Sequence, residues 1–377
     1  MIEINGFTFG EAEFYLLIAF GLVFFIQLFY QLLIAIFTLS GRKKQKKEEY
    51  PSISIIVPSR NYEENLRELI PALLAQDYPN FEVVVVDDCS LDGSKWYLSK
   101  LKLESDKLKT SQIYQETDFP NALVITIGVR AASKEWLIFL NPLCRINGND
   151  WLKSFASRIG SKTEAVFGFV KYSNQKGSMQ KFLRYENLNS YLLYGSARYM
   201  GAPMPISDMN IAYKREKFLR LRGFAAVLDA RFSENELFIN KIASKKNSVF
   251  LMDRSTVINY TGDTNWDDEI NYKKKQLLMK GKFSFKQKLF LAINTISRLL
   301  FDGLMIALVI ISPWRLYIVG IWCFKILHEL SWGVVAMKRL GEKNLFPGLL
   351  ILRSVAPFFN FALSFRQLFN RRKRKWK

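Results

Sequence analysis

Two kinds of apolar pattern divide the chain. At both ends apolar residues run on for twenty positions or more; between them they come in short bursts separated by stretches of helical periodicity. Residues 14–40 hold no charged side chain and are mostly Leu, Ile, Phe and Ala. At about 1.5 Å per residue such a helix crosses the roughly 30 Å hydrocarbon core of a bilayer, so a transmembrane helix is expected there. The residues before it are acidic (Glu3, Glu11, Glu13), unlike the basic start of a cleaved signal peptide. Towards the other end, residues 289–312 and 314–335 are long apolar segments joined at Ser312-Pro313, which predicts a helical hairpin. Residues 345–369 are apolar but broken by Pro347, Arg353 and Pro357, and read as a re-entrant or interfacial segment.

From Ser52 the bursts are short and alternate with helical stretches, the pattern of βαβ units and an α/β fold. Strands are expected at 53–57, 83–86, 136–140, 165–170, 209–213, 249–252 and 256–260. Helices are expected at 63–76, with Pro71 as a kink, and at 123–132, 148–159, 179–199, 233–244 and 267–280. The organisation that follows is an N-terminal membrane helix with a basic linker (1–48), a central α/β domain (49–285) and a C-terminal membrane domain with a basic tail (286–377).

The stretch FEVVVVDDCSLDGS, residues 81–94, anchors the central domain. A run of β-branched residues without polar alternation marks a strand covered on both faces, hence a parallel sheet flanked by helices. Ligands of such sheets sit off the carboxyl ends of the strands, where Asp87 and Asp88 fall. Asp92-Gly93-Ser94 then makes a turn that opens the next helix. Capping of a loop or helix by Asp88 or Ser90 is the plain structural alternative.

A net charge of +20 admits nucleic acid, an anionic membrane surface or a phosphate-bearing substrate as partner. The basic residues decide, because they cluster where apolar segments end: Arg42 to Lys47, Lys286 and Lys288, Lys338, Arg339 and Lys343, and Arg371 to Lys375. That is the signature of a membrane boundary, and no nucleic-acid-binding motif accompanies it. The positive-inside rule puts the N-terminus outside and the central domain in the cytoplasm, at an inner membrane. Three cysteines and one histidine make neither a disulfide framework nor a Cys/His metal site.

The run SISIIVPSRNYEENLRELIPALLAQDYPNFEVVVVDDCSLDGS (52–94) resembles the opening of membrane-anchored glycosyltransferases of family 2, which have a GT-A fold, a Rossmann-like nucleotide-diphospho-sugar transferase architecture. The resemblance rests on Val57-Pro58, the Arg60-Asn61-Glu63 turn, Gln76-Asp77-Tyr78-Pro79 and Asp87-Asp88-Cys89-Ser90, in order and spacing; it extends more loosely to Lys280. It implies an inverting transfer of a sugar from a nucleotide-diphospho-sugar to a lipid-linked or cell-surface glycan. The alternative is an inactive membrane-anchored scaffold or nucleotide-sugar-binding partner.

The resemblance also implies roles. Pro58, Arg60 and Glu63 would line the nucleotide pocket, Asp87 or Asp88 would bind base and ribose, and Ser90 and Asn141 would border the donor. The family's D-x-D metal motif stands here as Asn141-Pro142-Leu143. A hard cation such as Mg²⁺ or Mn²⁺ wants charged oxygens and leucine offers none, so a site shared by Asp88 and Asn141 is expected to be degraded. The catalytic base falls on Glu234, with Glu236 and Asp229 as fallbacks; Ser233 and Glu236 also fit a capping box that needs no catalysis. Asp208 and Asn210 would face donor or acceptor. In place of a Q-x-x-R-W element stand Trp266 and then Tyr272-Lys273-Lys274-Lys275-Gln276; Lys274 and Lys275 would hold acceptor or diphosphate, or else line a helix lying along anionic headgroups. Asp118-Phe119-Pro120-Asn121 occupies the position of a usual basic residue.

Within the hairpin, Arg298 and Asp302 lie one turn apart, as do Lys325 and Glu329 with His328 between them. Mutual pairing within or across the hairpin is expected, since unpaired charge at that depth is costly. A sharper expectation is that Arg298 or Lys325 meets the phosphate of a lipid-linked acceptor.

Overall fold

The computed structural model describes residues 2–4, 7–40, 49–115, 120–172, 177–225, 234–262, 266–345, 352 and 356. A hairpin of β1 (Ile2–Ile4) and β2 (Phe7–Phe9) leads into α1 (Glu11–Leu39). The α/β domain opens with β3 (Ile53–Ser59), α2 (Glu63–Leu74), β4 (Phe81–Asp88), α3 (Ser94–Glu104) and β5 (Leu108–Ile113). It continues through α4 (Pro120–Ala131), β6 (Trp136–Phe139), β7 (Cys144–Arg145), α5 (Trp151–Ala156), β8 (Ala165–Phe167), β9 (Val170–Tyr172) and α6 (Ser178–Ser196). Then follow β10 (Ile211–Lys214), α7 (Arg215–Arg220), α8 (Glu234–Ile242), β11 (Ser248–Phe250), β12 (Ile258–Tyr260), α9 (Trp266–Gly281), α10 (Phe285–Ile311) and α11 (Arg315–Leu340).

The main sheet has the strand order β11-β8-β10-β6-β3-β4-β5, and only β10 runs antiparallel to its neighbours. β3 and β4 are buried on both faces, as their unbroken β-branched runs require. Ile53, Ile55, Val57, Val83 and Val85 pack under α2 and α5; Ile56, Val84 and Val86 pack against α4 on the other side. Each such side chain contributes about 1.5–3 kcal/mol of burial. Because β10 is reversed, its beginning lies beside the carboxyl end of β6: the Asn210 N–H donates to Phe139 O at 2.9 Å. The loop before β10 is thereby carried to the rim where β3, β4 and β6 end.

One expected strand, 165–170, proves to be two. β8 stays in the main sheet, while β9 joins β7 and β12 in a small second sheet. Gly168 makes the break: a Cβ there would come within 2.3 Å of the Asn210 amide. β5, β7 and α7 were not expected from the pattern, and each is short or half exposed.

α1, α10 and α11 are the three helices among the described residues long and apolar enough to cross a membrane. They pack together through Phe20, Val23, Phe301, Leu308 and Ile318, with Phe20 stacked on Phe301 at 4.8 Å. The last turns of α1 instead join the core of the α/β domain. Phe37 meets Phe250 edge to face at 5.7 Å and fills the space left by Gly195 of α6. α6 thus lies between sheet and membrane helices, and a buried Arg184–Glu342 ion pair ties it to the chain just past α11. Most of 345–369, the basic linker 42–47 and the basic tail 371–375 lie outside the described residues.

Candidate active site

A cavity of about 210 Å³ opens at the carboxyl ends of β3, β4 and β6. Pro58, Ser59 and Arg60 border it from the end of β3, Asp88 from β4 and Asn141 from β6. Asp208 enters from the loop before β10, and Glu234, Asn235 and Glu236 from the first turn of α8. Residues separated by nearly two hundred positions therefore converge at the place where parallel sheets hold ligands.

The rim is fixed by two loops stapled together. Asn61 adopts φ +57°, a conformation asparagine tolerates, and turns its N–H to Ser90 Oγ at 2.9 Å. Its Oδ1 accepts the Leu91 N–H at 2.7 Å, and Asp92 accepts the N–H groups of Glu63 and Ser94. Burial works against ionisation of Asp92, but these hydrogen bonds outweigh it and hold its carboxyl below the usual range. Ser90 ties the two loops together and lies outside the cavity lining. Glu63 is likewise away from the cavity: it pairs with Arg67 at 2.6 Å and lies against Gly93.

The two adjacent aspartates part company, because successive residues of a strand face opposite sides of the sheet. Asp88 borders the cavity. Asp87 is 3% exposed, outside the cavity lining, and neither of its carboxylate oxygens has a hydrogen-bond partner among the described residues. Of the pair, Asp88 is the one on the cavity wall.

At the end of β6, Asn141 Oδ1 accepts the Leu143 N–H at 2.9 Å and its backbone O accepts the Cys144 N–H at the same distance. The amide oxygen is committed to its own turn and Leu143 supplies no oxygen. No group of three or more His, Cys, Asp or Glu suited to a metal ion occurs among the described residues. The Asn141-Pro142-Leu143 turn therefore offers no free side-chain oxygen to a hard divalent cation, and the carboxylates on the cavity wall are Asp88, Asp208, Glu234 and Glu236.

A lysine ammonium lies beside the cavity instead. Lys275 Nζ sits 3.1 Å from Asp208 Oδ2 and 3.0 Å from Glu236 Oε1. Burial acts to lower the Lys275 pKa, but the two carboxylates outweigh it and raise it. Burial pushes Glu236 up to about 7, with Lys275 opposing and Asp208 assisting. Glu234 is buried on the cavity wall at the start of α8. Asn235 accepts the Tyr213 hydroxyl at 3.0 Å through Oδ1. Ser233 of the supposed capping box, and Asp229, lie outside the described residues.

Asn210 corrects the sequence reading. It is fully buried, and its Nδ2 donates to Phe169 O at 2.9 Å and Thr256 O at 3.0 Å. It joins the two sheets and does not face a ligand. Lys274 is exposed and outside the cavity lining, and the side chain of Trp266 lies outside the described residues. Tyr62, Asn121 and Asn235 border the cavity unanticipated. Asn121 follows the Asp-Phe-Pro run whose missing basic residue was the only signal available.

Comparison with known proteins follows the same outline. Residues 54–222 match the family model described as glycosyl transferase family 2. The poly(ribitol-phosphate) β-N-acetylglucosaminyltransferase TarS of Staphylococcus aureus is 31% identical over 149 residues, 37% of this chain and 26% of that protein. The putative teichuronic acid biosynthesis glycosyltransferase TuaG of Bacillus subtilis is 26% identical over 126 residues, 33% of this chain and 47% of that protein. The matched stretch thus spans less than half the length of either relative. Among solved structures, the mannosyltransferase PcManGT from Pyrobaculum calidifontis, in complex with GDP-Man and Mn²⁺, superposes with a TM-score of 0.54 at 16% identity, over 87% of this chain and 98% of that one. That likeness is one of fold.

Proposed function

We propose that this chain, which its residues 54–222 make a family 2 glycosyltransferase of GT-A fold, moves a sugar from a nucleotide-diphospho-sugar to a lipid-linked or cell-surface glycan acceptor, with inversion. The observation that carries the reading is the meeting of Asp88, Asp208, Glu234 and Glu236 with Arg60 and Asn141 in one cavity at the strand ends. The nucleotide lies along Pro58, Arg60 and Asp88, with its diphosphate towards Asn141. An acceptor hydroxyl attacks the anomeric carbon from the face opposite the diphosphate. The bond to the diphosphate oxygen breaks with its electron pair, and Glu234 takes the hydroxyl proton as general base.

The charge that develops on the leaving diphosphate needs a fixed cation nearby. Arg60 borders the cavity and Lys275 stands behind two of its carboxylates. The basic residues at the start of α10 support a cytoplasmic active face and an external N-terminus, with α1, α10 and α11 holding the domain at the inner membrane.

A second assignment of the base has its own support. Glu236, pushed up to about 7, has the affinity for a proton that suits a base near neutrality. Glu234 is preferred because it stands on the cavity wall at the position where the family resemblance places the base.

The test is donor binding and turnover by purified full-length protein with UDP- and GDP-sugars, with and without chelator. Donor binding, with turnover abolished in Glu234→Gln and insensitive to chelation, is expected. Full turnover in Glu234→Gln moves the base to Glu236. Absence of binding for every donor sinks the transferase reading.

A further inference from the structure

A cavity of about 650 Å³ lies between the small second sheet and the end of α11, and shares no lining residue with the active-site cavity. We infer that it is a binding site for a phosphate group, held between Lys171 of β9 and Arg254 of the loop before β12, at the level of the lipid headgroups. The transferase reading stands or falls without it.

The two cations converge on one residue. Gly341 ends α11 with φ +71°, and its carbonyl accepts a hydrogen bond from Lys171 Nζ at 2.9 Å. The Arg254 side chain lies so close that a Cβ on residue 341 would come within 3.1–3.2 Å of its Cγ, Cδ and Nε. Glycine is what lets the arginine stem lie across the helix end. The negative end of the helix dipole orders both cations. A carbonyl takes one of the three ammonium N–H groups and none of the charge. Among the described residues the Arg254 guanidinium has neither an ion-pair nor a hydrogen-bond partner.

The neighbouring carboxylates are already engaged. Asp253, the acid of the lining, pairs with Arg158 and accepts the Ser255 N–H at 3.1 Å and its hydroxyl at 3.0 Å. Glu342 pairs with the buried Arg184. Positive charge is therefore in excess. Burial lowers the Lys171 pKa, Glu342 opposes this, and Arg184, Arg254 and Lys343 add to the lowering. An anion beside the ammonium would offset that field. On the lining from the β7 side, Asn147 Oδ1 accepts Asn259 Nδ2 at 3.0 Å, which leaves the Asn147 amide N–H groups to donate. A guanidinium fork, an ammonium and an amide suit the several acceptor oxygens of a phosphate.

The place favours a lipid headgroup as the source. By the positive-inside rule, the end of α11 that carries Lys338 and Arg339 is the cytoplasmic one. Arg339 donates to Thr38 O near the end of α1, so both helices leave the bilayer at one level, where Ile36 and Leu39 are exposed to acyl chains. The cavity wall also reaches towards the active site. β12 pairs with β7, and the Thr261 N–H donates to Leu143 O at 2.9 Å, in the turn that begins at Asn141. A headgroup bound here fastens the second sheet, and with it that turn, to the membrane bundle.

The probe is a fluorescent phosphatidylglycerol in phosphatidylcholine nanodiscs containing the full-length protein, with inorganic phosphate titrated into nanodiscs that lack it. Saturable binding of phosphatidylglycerol is expected. Arg254→Glu removes two units of charge and should weaken it by about thirtyfold. Asn147→Asp keeps the oxygen that Asn259 uses, adds one negative charge and should weaken it by about fivefold. Lys338→Glu, at the same helix end but outside the lining, should weaken it by about threefold at most, since salt screens a charge at that remove. Equal losses in Lys338→Glu and Arg254→Glu make the effect one of surface charge and overturn the proposal. Unaltered binding in Arg254→Glu leaves the cations as caps of α11 and overturns it too. Inorganic phosphate that binds with the same dependence on Arg254, while phosphatidylglycerol does not saturate, keeps the phosphate site and makes its occupant soluble. Saturation by neither probe removes the site.

Discussion

Two ion clusters built from the same parts, one beside the active-site cavity and one among the membrane helices, are wired in opposite senses. Beside the active-site cavity one cation stands between two carboxylates: Lys275 between Asp208 and Glu236. In the membrane bundle one carboxylate stands between two cations: Glu329 lies 3.4 Å from Arg298 and 3.3 Å from Lys325. Lys325 is fully buried, with its ammonium 5.2 Å above the Phe301 ring. The first cluster has a surplus of negative charge where a proton must be taken up. The second sets two cations about one carboxylate between the membrane helices. The expected pairing takes both forms: Lys325 pairs with Glu329 within α11, Arg298 bridges to Glu329 across the hairpin, and Asp302 accepts the Trp322 indole N–H at 3.1 Å. A cross-helix bridge fixes the position of α11 against α10 in a way that a pair within one helix cannot.

If the acidic cluster is chemical and the basic one structural, breaking each should give different losses. The largest effect is expected in the cavity. Glu234→Gln should lower turnover by about 10²- to 10⁴-fold with donor affinity retained, because a general base contributes about that much; single-turnover kinetics with saturating donor measure it. Next is Glu329→Leu, which leaves two cations facing each other in an apolar bundle. Loss of one partner from a buried pair costs about 3–5 kcal/mol, read as thermal unfolding of the protein in detergent. Replacing Arg298, Glu329 and Lys325 together by Met, Leu and Met should recover most of that loss. If the triple variant is no more stable than Glu329→Leu, the bridge does not act through its charges.

A third change tests the sense of the wiring at the cavity. Glu236 is raised from its usual value to about 7, so between these the folded protein keeps a proton that the unfolded chain has released. Its contribution to stability therefore declines as pH rises through that window and is flat above it. Glu236→Gln should remove this slope. Lys275→Met should move it to higher pH, since the cation opposing burial is gone and Asp208 remains. A slope that is unchanged in Glu236→Gln assigns it to another group.

Much of this was legible beforehand, for identifiable reasons. The three membrane helices, β3 and β4 are uninterrupted apolar runs, and burial on all sides is what such runs encode. Asp88 was placed at the rim by the strand end it closes, while Asn141, Glu234 and Glu236 came from the resemblance to family 2; all four border the cavity. β5 was missed because LKTSQI is an edge strand with four half-exposed positions, which blurs its alternation. Asn210 was misplaced because a polar residue reads the same whether it meets a ligand or a backbone carbonyl. Both pairings of Lys275 were invisible, since Glu236 and Asp208 lie on other elements and only the reversed strand β10 and α8 bring them together.

The smallest expected effect sharpens the comparison from outside it. Glu63 and Arg67 form a pair closer than any in the two clusters, at 2.6 Å, yet Arg67 is 47% exposed and the two are one helical turn apart on α2. Solvent screens such a pair, and an exposed i,i+4 bridge is worth about 0.3–0.5 kcal/mol. Arg67 also lies over the Tyr97 ring at 4.5 Å, which adds about 0.5–1 kcal/mol at an exposed site. Arg67→Ala should therefore cost no more than about 1.5 kcal/mol, and 1 M salt should remove a good part of it. Arg67→Met, which keeps a long side chain over the ring without its charge, should fall between wild type and alanine. A loss in Arg67→Ala as large as that in Glu329→Leu would mean that separation, and not surroundings, sets the worth of a bridge in this protein, and the contrast between its two clusters would lose its physical basis.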